Sequence, residues 1–292
     1  MRAARPRYFC GPFMHDTSVI LGSLLQLVLA TGTWPVQPVV RSTQPAVAPA
    51  ELTIAVEDAS DPWSRADGTG YANDVVTAAF AAAGIRVKQL VVPYARCRAM
   101  VMEGAVVACF SMSRAPDLGA RVRFPSMPLF VCQSVLVHNV KRPLPATQLR
   151  DLPRGTTVGV VLGYEYPAQV EQARLRGIEL QRVTSETLLL RMVATGRVQS
   201  AIVNINDSKP LALLMALAGV ADGVAVVTGI GELDSYLGFS AQHPQGAMAM
   251  QQYESGMRTI RRNGMLARIE RAWADSSRVS ASRARAAMSR RR

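Results

Sequence analysis

Several side chains in this 292-residue chain have the types and positions to hold a small solute. They fall just after short apolar, β-branched runs, and in open parallel sheets ligands bind beyond the carboxyl ends of the strands. Glu57, Asp58 and Trp63 follow LTIAV (52–56), Tyr94, Arg96 and Arg98 follow 86–92, and Ser111, Ser113 and Arg114 follow 106–110. In the second half, Gly163, Tyr164, Glu165 and Tyr166 follow 157–161. Thr184 and Ser185 follow 178–183, and Asn204, Asn206 and Asp207 follow 200–204. From these the expected ligand contacts are Glu57, Trp63, Tyr94, Arg96, Ser111, Ser113, Arg114, Gly163, Tyr164, Ser185 and Asn204. Arg96 has planar donors that suit a carboxylate. Trp63 and Tyr94 offer flat faces for stacking, and a helix opening after Gly163 turns unpaired N–H groups toward an anion. Each has a plainer use as well. An aromatic in an α/β protein is often core, Glu165 complements a helix dipole, and Ser185 caps the helix that follows it.

The chemistry the sequence does not carry is equally informative. His15, His138 and His243 lie too far apart for metal-ligand spacing, and no GxSxG, HExxH or P-loop occurs. The glycines around 159–163 do not follow GxGxxG, so a dinucleotide is not expected. Neither a cofactor nor catalytic residues are expected. The formal net charge of +12 sits mostly at the ends: +3 in residues 1–50 and +6 in 276–292, which leaves +3 for 51–275. A nucleic-acid binder needs its basic surface on the folded body, so that class is set aside.

These candidates are positioned by alternating strands and helices. After the strand 52–56 come a helix at 71–83, a strand at 86–92, a helix at 94–103 and a strand at 106–110. A second series follows the Pro-rich loop 141–153, with strands at 157–161, 178–183, 200–204 and 223–227 and helices at 166–176, 186–195 and 208–218. Two helices, near 247–261 and 264–274, close the body. Such alternation implies parallel sheets covered by helices. Two further extended runs, 130–138 and 233–240, break the repeat and are read as crossing strands of a hinge. The expected architecture is two α/β lobes, the first made of 51–138 and 229–275 and the second of 139–228.

At the ends, Arg2, Arg5 and Arg7 precede the apolar run 19–30, which is too short to span a bilayer and suits a signal-peptide core. Residues 1–50 are therefore read as signal peptide and linker. Residues 276–292, polar and Arg-rich, are read as a disordered tail. Export leaves Cys97, Cys109 and Cys132. Either one disulfide with a spare thiol or three buried thiols fits, with Cys109 and Cys132 expected on adjacent strands.

The pieces LTIAVEDASDPWSRADGTGYANDVVTAAF, VPYARCRAMVMEGAVVACFSMSRAP, FPSMPLF, TVGVVLGYEYP and VTSETLLLRMVATGRVQSAIVN, in that order and spacing, resemble the extracytoplasmic solute-binding proteins of ABC transporters, amino-acid-binding type, which have the type II periplasmic binding fold. Pro93-Tyr94-Ala95-Arg96 is similar to a Pro-Trp-x-Arg motif of one branch. The resemblance covers 51–275. It implies two lobes joined by two hinge strands, a monomer in the periplasm, a small-molecule ligand and an ABC-type permease as partner. It implies contact with a membrane only through that partner or an uncleaved leader. Two departures bear on the ligand. Leu118 stands where the family's carboxylate-gripping arginine belongs, and Asn204 stands where its ammonium-gripping acid belongs. Unless Arg96, Arg114 or Arg121 substitutes, an ordinary α-amino acid would be left without charge partners, which is costly in a buried site. The implied ligand is a small polar or anionic metabolite. A sensing module for a signalling partner and a dehydratase-like enzyme are the alternative uses of the same fold.

Overall fold

A computed structural model describes residues 51–220 and 222–289. The expected leader and linker lie outside the described residues. The chain opens with β1 (Glu51–Glu57), the short hairpin β2 (Ala59–Ser60) and β3 (Ser64–Arg65), α1 (Tyr71–Ala82), β4 (Arg86–Val92), α2 (Tyr94–Glu103), β5 (Ala108–Met112) and β6 (Val122–Arg123). Then come β7 (Phe130–Asn139), β8 (Thr157–Val161), α3 (Ala168–Leu175), β9 (Glu179–Val183), α4 (Glu186–Ala194), β10 (Ser200–Ile205) and α5 (Leu211–Ala218). The last elements are β11 (Val224–Ser240), α6 (Gly246–Arg262) and α7 (Met265–Ser289).

The strand order β4-β1-β5-β11-β7-β10-β8-β9 contains two parallel sections. In the first, β1 lies between β4 and β5, parallel to both; in the second, β8 lies parallel to β10 and β9. The long antiparallel strands β7 and β11 run between the two. β11 spans the expected strands 223–227 and 233–240 as one element. Its first part pairs with β7 from Val224 to Ser235, and its end pairs with β5 from Tyr236 to Phe239. Residues 133–138, expected at the end of the first lobe, are hydrogen-bonded to β10 in the second section.

Both sections are covered on both faces, as parallel sheets must be. In β1, Leu52, Ile54 and Val56 point into a core with α1 and α6, while Ala55 faces a second core with α2. Alternate side chains of a strand take opposite faces, so one strand feeds both cores. In the second section Val135 and Val137 pack with α4 and α5, while Leu136, Val158 and Val160 pack with α3. Gly256 lets α6 cross closely over α1, since a Cβ there would lie 1.8 Å from the Ala79 carbonyl oxygen.

Cys97 of α2 and Cys109 of β5 form a disulfide, with Cα atoms 5.7 Å apart. Cys132 is free and buried, and burial pushes its thiol up to about 12. The expectation that Cys109 and Cys132 lie on adjacent strands fails because β11 is inserted between β5 and β7. A disordered tail from 276 is also not what the structure shows. Helix α7 continues to Ser289 and packs against α1, α6 and α5. Ala and Arg are good helix formers, and Ser277 is buried against the body. Among the described residues, no helix is long and apolar enough to cross a membrane.

Candidate functional site

The carboxyl ends of β1 and β5 face those of β8 and β10 across the crossing strands. The residues that meet there enclose a chamber of about 20 Å³, lined by Glu57, Ser60, Trp63, Ser111, Ser113, Tyr164, Glu165, Asn204, Leu233 and Ser235. That is room for about one water molecule. Of the expected contacts, Glu57, Trp63, Ser111, Ser113, Tyr164 and Asn204 are brought together here. Crevices of about 450 Å³ and about 360 Å³ flank the chamber. The first is bounded by Asp58, Asp61 and Arg65 on one side and by Ser185, Glu186 and Thr187 on the other. The second includes Arg98, Gly163, Tyr164 and Glu165.

Two junctions close the chamber. In the first, the β2–β3 loop lays Trp63, which is 2% exposed, against Phe130 with ring centroids 4.2 Å apart. The Trp63 indole N–H donates to Ser208 Oγ at 3.0 Å. A turn built on Asn206, whose Oδ1 accepts from Ser208 N, Ser208 Oγ and Lys209 N, aims Lys209 into the protein. Lys209 is fully buried. Its Nζ lies 3.9 Å from the Trp63 ring centroid, pairs with Glu186 Oε2, and donates to Ser60 Oγ at 3.4 Å. Glu186 Oε1 accepts the Asn204 backbone N–H at 2.7 Å, and Asn204 Oδ1 accepts from Ser134 Oγ. The Tyr164 hydroxyl donates to Glu57 Oε1 and lies 3.3 Å from Ser60 Oγ.

The second junction centres on Glu165. Its Oε2 accepts from the Tyr94 hydroxyl at 2.6 Å and from Ser113 N at 3.3 Å, and its Oε1 accepts from Arg98 Nε at 3.0 Å. Arg98 also pairs with the exposed Asp117. Gly163 fits against α2 because a Cβ there would stand 3.0 Å from Ala95 Cα, and its φ of +87° suits glycine.

Burial governs the ionisation of this site. It pushes the Glu57 carboxyl up to about 8, against the pull of the Tyr164 hydrogen bond and the Lys209 charge. Burial also raises Glu165, while its donors Tyr94, Ser113 and Arg98 draw it back. Tyr94 and Tyr164 are held well above the usual phenol range, by burial first and by their carboxylate neighbours second. Glu57 Oε2 and Ser111 Oγ are buried without a hydrogen-bond partner, and both residues line the chamber. Ser111 has φ +67° and sits opposite a register shift in β11, where Tyr236 pairs with Met112 and Leu237 with Phe110. A bulge of this kind re-aims one side chain, and a non-glycine residue in the left-handed region stores roughly 1–3 kcal/mol of strain.

The other expected contacts lie elsewhere. Arg96 is exposed on α2. Arg114 stacks over Phe124 and Tyr236 and donates to the Pro125 carbonyl. Tyr94 reaches Glu165 rather than the chamber wall. Ser185 accepts from Leu188 N as the N-cap of α4, at the wall of the 450 Å³ crevice. Leu118 is buried in the α2-side core. Lys209, Glu186 and Ser60 were not among the sequence candidates. Lys209 lies in the short loop between the end of β10 at Ile205 and Pro210, the N-cap of α5, so its place in a loop past a strand's carboxyl end was the available signal. Among the described residues, no group of three His, Cys, Asp or Glu is placed to hold a metal ion.

No protein-family model and no curated protein matches the chain. Solved structures do match its fold. A histidine kinase sensor domain with similarity to periplasmic binding proteins aligns with a TM-score of 0.66 at 17% identity, covering 76% of this chain and 95% of that one. An ancestral arginine-binding protein bound to arginine aligns at 0.65 and 17%, covering 78% and 99%. The amino acid ABC transporter substrate-binding protein AbpA from Streptococcus pneumoniae, bound to L-arginine, aligns at 0.62 and 14%, covering 78% and 96%. The architecture is that of the two-lobed type II periplasmic binding proteins.

Proposed function

We propose that residues 51–289 form an exported solute-binding module that captures a small metabolite between two lobes without turning it over. The strand pairing supports lobes that meet where β7 and β11 cross, near 129–132 and 233–236. The observation that carries the reading is the chamber itself. Polar groups from both sections converge on it, and Glu57 Oε2 and Ser111 Oγ face it without partners. Buried polar atoms without partners are rare and costly, and a solute's hydrogen-bonding groups would satisfy them.

The chamber is too small for a metabolite, so capture requires the lobes to part and then close over the solute. Ligand contacts to both lobes would shift the population toward the closed form. The solute is not an ordinary α-amino acid, because neutral Asn204 and buried Leu118 stand at the places of the family's two charge-gripping residues. Arg96 and Arg114, the cations expected to grip an anion, are placed outside the chamber. This favours a neutral polar solute over an anionic one. Delivery to an ABC-type permease is the role that the AbpA likeness supports. The kinase sensor domain supports a second reading, in which the closed module signals through a partner protein.

A thermal-shift screen of the chain against a metabolite panel tests capture. A cognate solute at a hundredfold excess over Kd adds about 2.7 kcal/mol, which raises Tm by roughly 5–10 °C. A panel of sugars, polyols, organic acids and amino acids that leaves Tm unmoved contradicts capture.

A further inference from the structure

Lys209 is an unusual occupant of a ligand cleft. A lysine is almost never fully buried unless paired, and this one is enclosed by the very groups that recognise cations. Its ammonium lies over the face of Trp63, is paired with the Glu186 carboxylate, and touches Ser60. Trp63 and Ser60 come from the first section, while Lys209 and Glu186 come from the second. An aromatic face with a carboxylate at its side is the environment an organic ammonium seeks. The backbone holds the lysine there, since three donors of the Asn206–Lys209 turn, one of them the Lys209 N–H, converge on one side-chain oxygen, and Pro210 starts α5 immediately after it.

We propose that Lys209 fills the cation subsite of its own cleft and thereby sets the cleft's specificity. A second ammonium at the Trp63 face would meet Lys209 at close range, with Glu186 already engaged. The cleft therefore takes solutes that lack a cationic head, and such a solute meets Glu57 and Ser111 through hydroxyl, carbonyl or amide groups. This choice of solute rests on the solute-capture reading; the occupation of the subsite by Lys209 does not.

The Lys209→Ala variant leaves a space shaped like the removed Cγ, Cδ, Cε and ammonium, which n-propylammonium reproduces. Titration of the full chain with n-propylammonium chloride, read by calorimetry and by tryptophan fluorescence, tests the assignment. The expected result is binding to the variant at least about tenfold tighter than to the wild type, as a charge-assisted hydrogen bond implies, with no comparable response to 1-propanol. Equal responses of variant and wild type, or of amine and alcohol, overturn the proposal. Should the variant fail to fold alone, it is refolded with each additive. Recovery with the amine but not the alcohol supports the proposal; recovery with both or neither overturns it. A positive amine titration beside a metabolite screen without hits would remove solute capture and keep the Lys209 assignment. A screen hit beside a failed amine titration would do the reverse.

Discussion

The two junctions across the cleft solve the same problem differently. Each buries a carboxylate between the lobes. At Glu165, three donors from the first section converge on one side chain, and the guanidinium of Arg98 reaches out to Asp117 at the surface. At Glu57, a single tyrosine donates, one oxygen has no partner, and the nearby lysine is already paired with Glu186. The Glu165 junction is self-sufficient. The Glu57 side is left with unmet hydrogen-bonding capacity, at the chamber and beside a strained serine. The difference separates a junction whose carboxylate is fully supplied with donors from one where an oxygen is left without any.

Mutations at the two junctions sharpen that contrast. Lys209→Met should have the largest effect, about 3–5 kcal/mol in urea unfolding, because it leaves Glu186 buried without its cation. The double variant Lys209→Met with Glu186→Met should recover most of the loss, and failure to recover would show that Lys209 acts through something other than its partner.

The next effect is a pH dependence. The Glu57 carboxyl is raised by burial from 4.5 to about 8 in the folded protein. Between those values the folded state binds the proton that the unfolded state releases, so stability falls as pH rises through this window. The full span sets an upper bound of about 5 kcal/mol, and opening of the cleft to water reduces it to about 2–4 kcal/mol. Urea midpoints measured from pH 4.5 to 8.5 should fall in the wild type, with this component absent in Glu57→Gln. Equal slopes would remove Glu57 as its source.

Tyr164→Phe should cost about 1–2 kcal/mol and move the Glu57 titration higher, since it takes away the hydrogen bond that favours the ionised carboxylate. At the other junction Asp117→Asn should cost at most about 0.5 kcal/mol, because the Asp117 side chain is 70% exposed. A loss as large as that of Tyr164→Phe would erase the distinction between the junctions.

The alternation of strands and helices is legible in the sequence, as are the order of pieces that resembles solute-binding proteins and six of the ten residues that line the chamber. What hid the rest is physical. Arg96 and Arg98 look equivalent in a string, but α2 starts at Tyr94, and a residue four positions along a helix shares its face. Arg98 therefore turns inward beside Tyr94, and Arg96 turns out. Lys209 reads as the first turn of a helix until Pro210 and the Asn206 turn exclude it. Glu186 has a sufficient local explanation as a first-turn acid of α4, and Glu165 invites the same reading in the sequence although α3 starts only at Ala168; nothing local reveals a partner 23 or 67 residues away. The polarity of the tail reads as disorder, although its Ala and Arg content favours helix and α5 gives it a surface to pack on.

Opening of the cleft would lengthen the distance between its two sides. Nitroxide labels at exposed Lys88 on β4 and Gln172 on α3 allow the distance between them to be measured by pulsed dipolar spectroscopy. With a solute that raises Tm, a single short distance is expected. Without solute, a second, longer distance is expected as well. One unchanged distance, with and without every solute that raises Tm, would contradict opening and closure.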